Sequence, residues 1–455
     1  MLTAVSCSNT GQQSISEPSG NVNNVEQSKE DIILTYATYT EPHSTMQEMI
    51  DNFNDENNGY KVVIKDYSEG LVYENPETKG GASEESLSAV QIEIVQDIIK
   101  GEVDIINSES IPNNITFENL KNKEAFADLY PFMENDPDVN RSVLNETVLN
   151  LSEIDGKLYS LPTFYEIDTL IGESQYVGTK ENWTFDEFVS HWEQMPDGST
   201  IAGHTEKLYV YINILRNTLE EFVDYKNGTA SFDSPEFIEL LEFCNRFDYV
   251  ERGTKVDSDS NSPDFVTPHT ISGIWNFHKF IKETDTLVGY PSSDGTGAYI
   301  DTSHSYNFAI NKSSSAEKQE GAWNFIRRFA DEEYQTSKYV YYDDSGKEAF
   351  YWDEIGIPIN DNVFEKMSKE IMDGKIYSNI ISSQGQEYDI GLPTQEEYNR
   401  LVKYISNVKR KKTNDFSLHL IIDDDIDAYF KGEKTIEETV EIIQNRVSIM
   451  VSEKS

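Results

Sequence analysis

The chain has 455 residues, enough for two or three lobes at roughly 100–200 residues per domain and for a large buried core. It carries 82 Asp and Glu against 37 Lys and Arg, a net charge of −45, which argues against nucleic acid and against docking on anionic lipid through a basic patch, since both need clustered cations. With 12% aromatic and 37% hydrophobic residues it is no disordered acidic tail, and its 26 Tyr suit surfaces that grip polar ligands.

Two cysteines exclude a disulfide scaffold. Cys7 closes the segment Leu2-Thr3-Ala4-Val5-Ser6-Cys7 and is followed by Ser, Asn, Gly and Gln. This start resembles the end of a bacterial lipoprotein signal peptide, and the resemblance implies a lipid on Cys7. Residues 8–30 are almost devoid of apolar side chains and read as a flexible tether. No stretch approaches about 18 apolar residues, so no membrane-spanning helix is expected.

Ile32-Ile33-Leu34 reads as a buried strand. A helix then starts near Pro42, with Met46, Met49, Ile50 and Phe53 on one face. The alternation from Lys61 to Tyr67 predicts a second strand. Leu87, Val90, Ile94 and Ile98 mark a helix over 84–100 that Gly101 stops, and Val103-Asp104-Ile105-Ile106 is a third strand. This β-α-β-α-β start implies an α/β fold with a mainly parallel sheet, whose ligands bind beyond the carboxyl ends of the strands, at loops 36–41 and 107–112.

After Arg141 the chain becomes helix-rich. Thr184 and Glu187 form a capping box ahead of Phe185, Phe188 and Trp192, and Ser234-Pro235 starts a helix that buries Cys244. Residues 251–268 read as a surface loop. Ser305–Ile310 reads as a strand, followed by a helix with Ala322, Phe325, Ile326 and Phe329 inward. Trp192 and Trp323 read as core, and Asp423-Asp424-Asp425 as solvated surface. Thr435 and Glu438 cap a last helix with Ile436, Val440, Ile443, Val447 and Met450 along it.

Catalytic signatures are missing: there is no H-E-x-x-H, G-x-S-x-G, Walker lysine loop or G-x-G-x-x-G after a strand. The seven histidines show no metal-ligand spacing. Asp257, Asp259 and Asn261 imitate a calcium loop, but Ser262 and Pro268 stand where Gly and Glu are required. No catalytic residue, metal or cofactor is therefore expected. With 82 carboxylates, a glycosidase acid pair cannot be singled out.

The ordered segments Asp155-Gly156-Lys157-Leu158-Tyr159-Ser160-Leu161-Pro162, Gly273-Ile274-Trp275-Asn276, Gly289-Tyr290-Pro291, Glu320-Gly321-Ala322-Trp323-Asn324-Phe325-Ile326 and Gly356-Ile357-Pro358 resemble the extracellular solute-binding proteins of ABC importers, in their maltose-binding-like, carbohydrate-handling group. The C-terminal Gly432-Glu433-Lys434-Thr435-Ile436 is similar too, so the resemblance spans residue 31 to the end. It implies a two-lobed α/β periplasmic-binding-protein-like fold, with ligand held in a cleft between hinged lobes. Lobe one would take 31–141 plus about 302–345, and lobe two 142–301 plus 346–455. It also implies a monomer at the outer face of a bacterial cell membrane, anchored only by lipid, that passes an oligosaccharide to ABC permease subunits.

A sugar has polar edges and apolar C–H faces, so its site needs aromatic plates beside hydrogen-bonding side chains. Trp275 stands where the family commonly places a stacking ring, and otherwise reads as core. Tyr39 and Glu41 follow the first strand, and Ser108 and Glu109 follow the third. Tyr165 offers a ring and Glu166 a hydroxyl acceptor beside the expected hinge. Asn276, Tyr299 and Ser303 are further candidates that also read as structural. Two other functions share these features: a secreted glycoside hydrolase, and a binding protein of the same fold for a polyamine or peptide.

Overall fold

The structure is a computed structural model. It describes residues 31–40, 44–75, 80–112, 114–225, 227–254, 256, 262–337, 341–342, 348–349, 356–375, 380–381, 387–388, 391–413 and 416–454. Cys7, Glu41, and Asp257, Asp259 and Asn261 of the rejected calcium loop lie outside them.

The chain opens with β1 (Ile32–Thr38), α1 (Ser44–Asp55), β2 (Tyr60–Asp66), α2 (Glu84–Lys100) and β3 (Ile105–Asn107), the alternation its periodicity predicts. Met46, Ile50 and Phe53 of α1 and Val90, Ile94 and Ile98 of α2 are buried, on the two faces of one sheet. Ser83 caps α2 by accepting from the Ser86 N–H, and Gly101 ends it at a φ of 75°. That left-handed geometry suits a residue without Cβ.

Thereafter come β4 (Leu161–Pro162), β5 (Phe164–Glu173), α3 (Phe185–Trp192), α4 (Pro235–Cys244), β6 (Thr267–Ile271), α5 (Ile274–Phe280), β7 (Asp285–Leu287), β8 (Tyr299–Asp301), β9 (Asn307–Ile310), α6 (Ala316–Ile326), β10 (Ile357–Pro358), β11 (Arg410–Lys411), α7 (Phe416–Phe430) and α8 (Ile436–Lys454). The described strands form two larger mixed sheets. The first runs β2-β1-β3-β9-β4: β1 is parallel to β2 and β3, but β9 is antiparallel to β3 and β4. The expectation of a mainly parallel sheet thus covers only its first half, because β9 and β4 return from distant chain. The second runs β6-β5-β8-β11 around β5, which also pairs with β7 and β10.

Between β4 and β5 stands Thr163, where the chain leaves one sheet for the other. The Thr163 N–H donates to Tyr306 O at 3.0 Å and its carbonyl accepts from the Ile359 N–H at 3.0 Å. Strand pairing carries the first sheet to Pro162.

The second sheet has its own aromatic core. Phe188 meets Phe243 and Phe265 edge-on at 5.4 and 5.2 Å between ring centroids. Phe265 and Val266 are buried, so the end of the segment expected to be a surface loop is core. The acidic run on α7 also departs from expectation. Asp424 is exposed, but Asp425 is buried with Lys434 and Arg446, and Asp423 accepts from Tyr211 Oη at 2.6 Å. Successive helix positions lie about 100° apart, so three acids in a row cannot share one solvated face.

Candidate functional site

The carboxyl ends of β1 and β3 carry the first wall. Tyr36, buried in β1, accepts at its hydroxyl from Asn107 Nδ2 at 2.8 Å. Asn107 also caps the turn Ser108–Ser110 by accepting from the Glu109 N–H, and Ser110 Oγ donates to Ala37 O at 2.5 Å. This anchoring presents Ser108 and Glu109 at a fixed place. Glu109 is exposed. Burial, with the Glu109 charge adding to it, raises the pKa of three neighbouring phenols: Tyr36, the half-buried Tyr39, and Tyr306, which is pushed up to about 12.

The segment joining β8 to β9 carries the second wall. Ser303 is exposed, and its N–H donates to Asp301 Oδ1 at 2.8 Å. His304 Nδ1 lies 3.0 Å from Glu166 Oε2 on β5. Behind Glu166, Asp168 accepts from Thr270 Oγ1 at 2.5 Å and from Lys412. Lys411 donates to Ser152 Oγ at 3.2 Å, and burial followed by the nearby Lys121 charge holds its ammonium down to about 8. Asn307 Nδ2 joins the walls, reaching Ser108 Oγ at 3.4 Å and Thr302 O at 2.8 Å.

The Glu166–His304 pair is not a simple ion pair. His304 is raised by its bond to Glu166, as expected beside a carboxylate. Glu166 is raised as well, because burial outweighs the pull of His304. The raised imidazole contributes stability below its ordinary value of 6.5, and that contribution is lost as pH rises through the raised value. In an NMR titration His304 is expected to titrate above pH 6.5 and to return toward it in Glu166→Gln. A midpoint at or below 6.5 in the unaltered protein would show that the pair does not form.

Tyr39, Ser108, Glu109, Glu166 and Ser303 thus come together at the crossover. Four other candidate residues lie buried elsewhere. Tyr165 is 1% exposed within the apolar core, because strand alternation turns it away from the face that carries Glu166 and Asp168. Trp275 is 4% exposed in that same core, with its ring 5.9 Å from His278. Tyr299 is buried and donates to Glu221 Oε1 at 2.8 Å. Asn276 is buried against His269 Nε2 at 3.1 Å. The sequence reading missed Tyr306, Asn307 and His304. Period-two alternation through β5 was the available signal that separates Glu166 from Tyr165.

Among the described residues no group of three or more His, Cys, Asp or Glu side chains is placed to hold a metal ion, and no helix is long and apolar enough to cross a membrane. No family model matches the chain, and no curated protein matches it. Solved structures do. A periplasmic oligogalacturonide binding protein from Yersinia enterocolitica aligns with a TM-score of 0.55 at 13% identity, over 93% of this chain and 100% of that one. The sugar-binding protein MalE of Xanthomonas citri aligns at 0.51 and 11% identity, over 93% and 98%. A de novo designed cysteine esterase aligns at 0.53 and 14% identity, over 94% and 99%. The chain has the periplasmic-binding-protein fold, α/β with two mixed sheets. Since one neighbour is a designed esterase, binder and catalyst must be told apart at the site. Cys244 is fully buried in apolar surroundings that push its thiol up, away from the thiolate a nucleophile needs.

Proposed function

We propose that this protein is the substrate-binding component of an ABC importer, which captures a neutral oligosaccharide outside the cell and hands it unaltered to permease subunits. The observation that carries this reading is the crossover site itself. The partly exposed Tyr39 and Tyr306 lie near enough to Glu109 to feel its charge, and Asn307 ties that turn to the segment whose His304 pairs with Glu166, on a fold shared with proteins named for binding sugars. The rings suit the C–H faces of a sugar, and Glu109, Glu166, Ser303 and His304 suit its hydroxyls. The acids of this site and the net charge of −45 favour neutral over anionic sugars.

In this reading lobe one contains the first sheet and extends to Pro162, and lobe two contains the second. They close by a hinge at Thr163, at Thr302–Tyr306 and near Ile359. Cys7 carries the lipid that holds the protein at the outer face of the membrane, and residues 8–30 are the tether.

A thermal-shift screen tests the ligand class. Neutral oligosaccharides are expected to raise the melting temperature, by RT ln(1 + [L]/Kd) in free energy, more than oligogalacturonides, polyamines or peptides. A response confined to polyamines or peptides would overturn the carbohydrate reading.

A further inference from the structure

Ser303 and His304 are the exposed tip of a tight turn. The Ser305 N–H donates to Thr302 O at 3.2 Å and closes it, and the flanking Thr302 and Ser305 are buried. The Ser303 N–H is held by Asp301 Oδ1 at 2.8 Å. Thr302 O keeps a second lone pair beyond the bond that closes the turn.

Asn307, the first residue of β9, meets that need and is itself 5% exposed. Strand alternation puts its side chain on the face of Ala309, opposite the core-facing Phe308 and Ile310. Its Nδ2 donates to Thr302 O at 2.8 Å and to Ser305 O at 3.0 Å. An amide nitrogen carries two hydrogens, so each carbonyl takes one. The opposite amide orientation would set Oδ1 against both carbonyls, and their chemistry therefore fixes which end faces the turn. Among side chains of this length only Asn offers two hydrogens on one neutral atom: an ionised Asp and a Leu offer none, and a Thr offers one. Nδ2 also lies 3.4 Å from Ser108 Oγ on the facing wall. With both hydrogens engaged by nearer acceptors that third contact is weak, and Ser108 Oγ keeps its capacity to accept from a sugar hydroxyl.

We propose that Asn307 is the positioning residue of the crossover site: its amide clamps the Ser303–His304 turn at a set distance from Ser108, so that both walls reach one sugar together. This rests on the proposed function, and it assigns the spacing of the sugar-binding groups to a buried residue behind them. Without the clamp the turn has to be ordered at the moment of binding, a cost that subtracts from affinity.

Asn307→Leu keeps the size of the side chain and removes both hydrogens. Its affinity for the neutral oligosaccharide found by the thermal-shift screen is expected to be about tenfold weaker or more, the loss of at least one buried hydrogen bond. A packing role alone would end there. A clamp also holds His304 against Glu166, so in an NMR titration the His304 midpoint should fall toward 6.5 in Asn307→Leu. Ser108→Ala should weaken sugar binding and leave that midpoint unmoved, because Ser108 holds neither member of the pair. If Asn307→Leu does not fold, hydrogen exchange in the unaltered protein decides: both Nδ2 hydrogens of Asn307 should exchange far more slowly than those of an exposed asparagine, and exchange of either at the exposed rate would overturn the clamp. An unchanged His304 midpoint or an unchanged sugar affinity in folded Asn307→Leu would overturn it as well. If the unaltered protein binds no neutral sugar, the proposed function fails, while the titration and the exchange still test Asn307.

Discussion

Asp104→Ala is expected to lower stability by about 2–4 kcal/mol, because it leaves the Thr35 N–H and the Ser314 hydroxyl without their buried acceptor, whereas Lys318, with its side chain 34% exposed, can turn to water. Asp104 is fully buried. Its Oδ2 accepts from the Thr35 N–H at 2.9 Å and from Lys318 Nζ at 2.8 Å, and its Oδ1 from Ser314 Oγ at 2.6 Å. One carboxylate thus joins β1, the entry to β3 and the start of α6. Lys318→Met should also be costly, because it leaves the Asp104 charge with neutral donors only. The double variant Asp104→Ala/Lys318→Met should cost clearly less than the sum of the two. Denaturant unfolding of the three variants measures this, and additive costs would show that the two groups act independently.

Gln335→Leu is expected to cost about 2–4 kcal/mol, one to two unsatisfied buried groups. Gln335 is fully buried where three passages of the chain meet. Its Nε2 donates to Thr163 O at 2.6 Å and to Phe329 O at 3.2 Å, and its Oε1 accepts from the Asn360 N–H at 3.1 Å. Ser305 Oγ accepts from the N–H groups of Thr163 and Phe164 beside it, at 3.0 and 2.9 Å. If this knot is the hinge, Gln335→Leu also weakens sugar affinity while every side chain of the proposed site stays in place, because it changes the balance of open and closed forms. Calorimetric titration of the variant with the sugar found by the screen measures that effect. An unchanged affinity in a destabilised variant would make Gln335 a packing residue only.

The first half of the first sheet was legible because its signals are local. Met46, Ile50 and Phe53 repeat at helical spacing, and Gly101 stops α2. The second sheet was not, because β5 gathers partners from residues 267–301 and 357–358, and no local pattern announces pairing across such distances. The site was half legible for a related reason. Loops after strands place Tyr39, Ser108 and Glu109, and these follow from the strands themselves. Trp275 and Tyr299 attract attention by side-chain chemistry, yet helix and strand phase bury them. Tyr306 and His304 belong to a crossover whose role depends on the long-range pairing of β8 and β9 with different sheets.

In the proposed function the protein holds a carbohydrate without converting it. Equilibrium dialysis against the neutral oligosaccharide that gives the largest thermal shift, followed by mass spectrometry of the recovered sugar, tests it most directly. Saturable binding near one sugar per chain is expected, with the sugar recovered at its original mass. Sugar shortened by hydrolysis at catalytic rates, or no saturable binding of any neutral oligosaccharide, would contradict it.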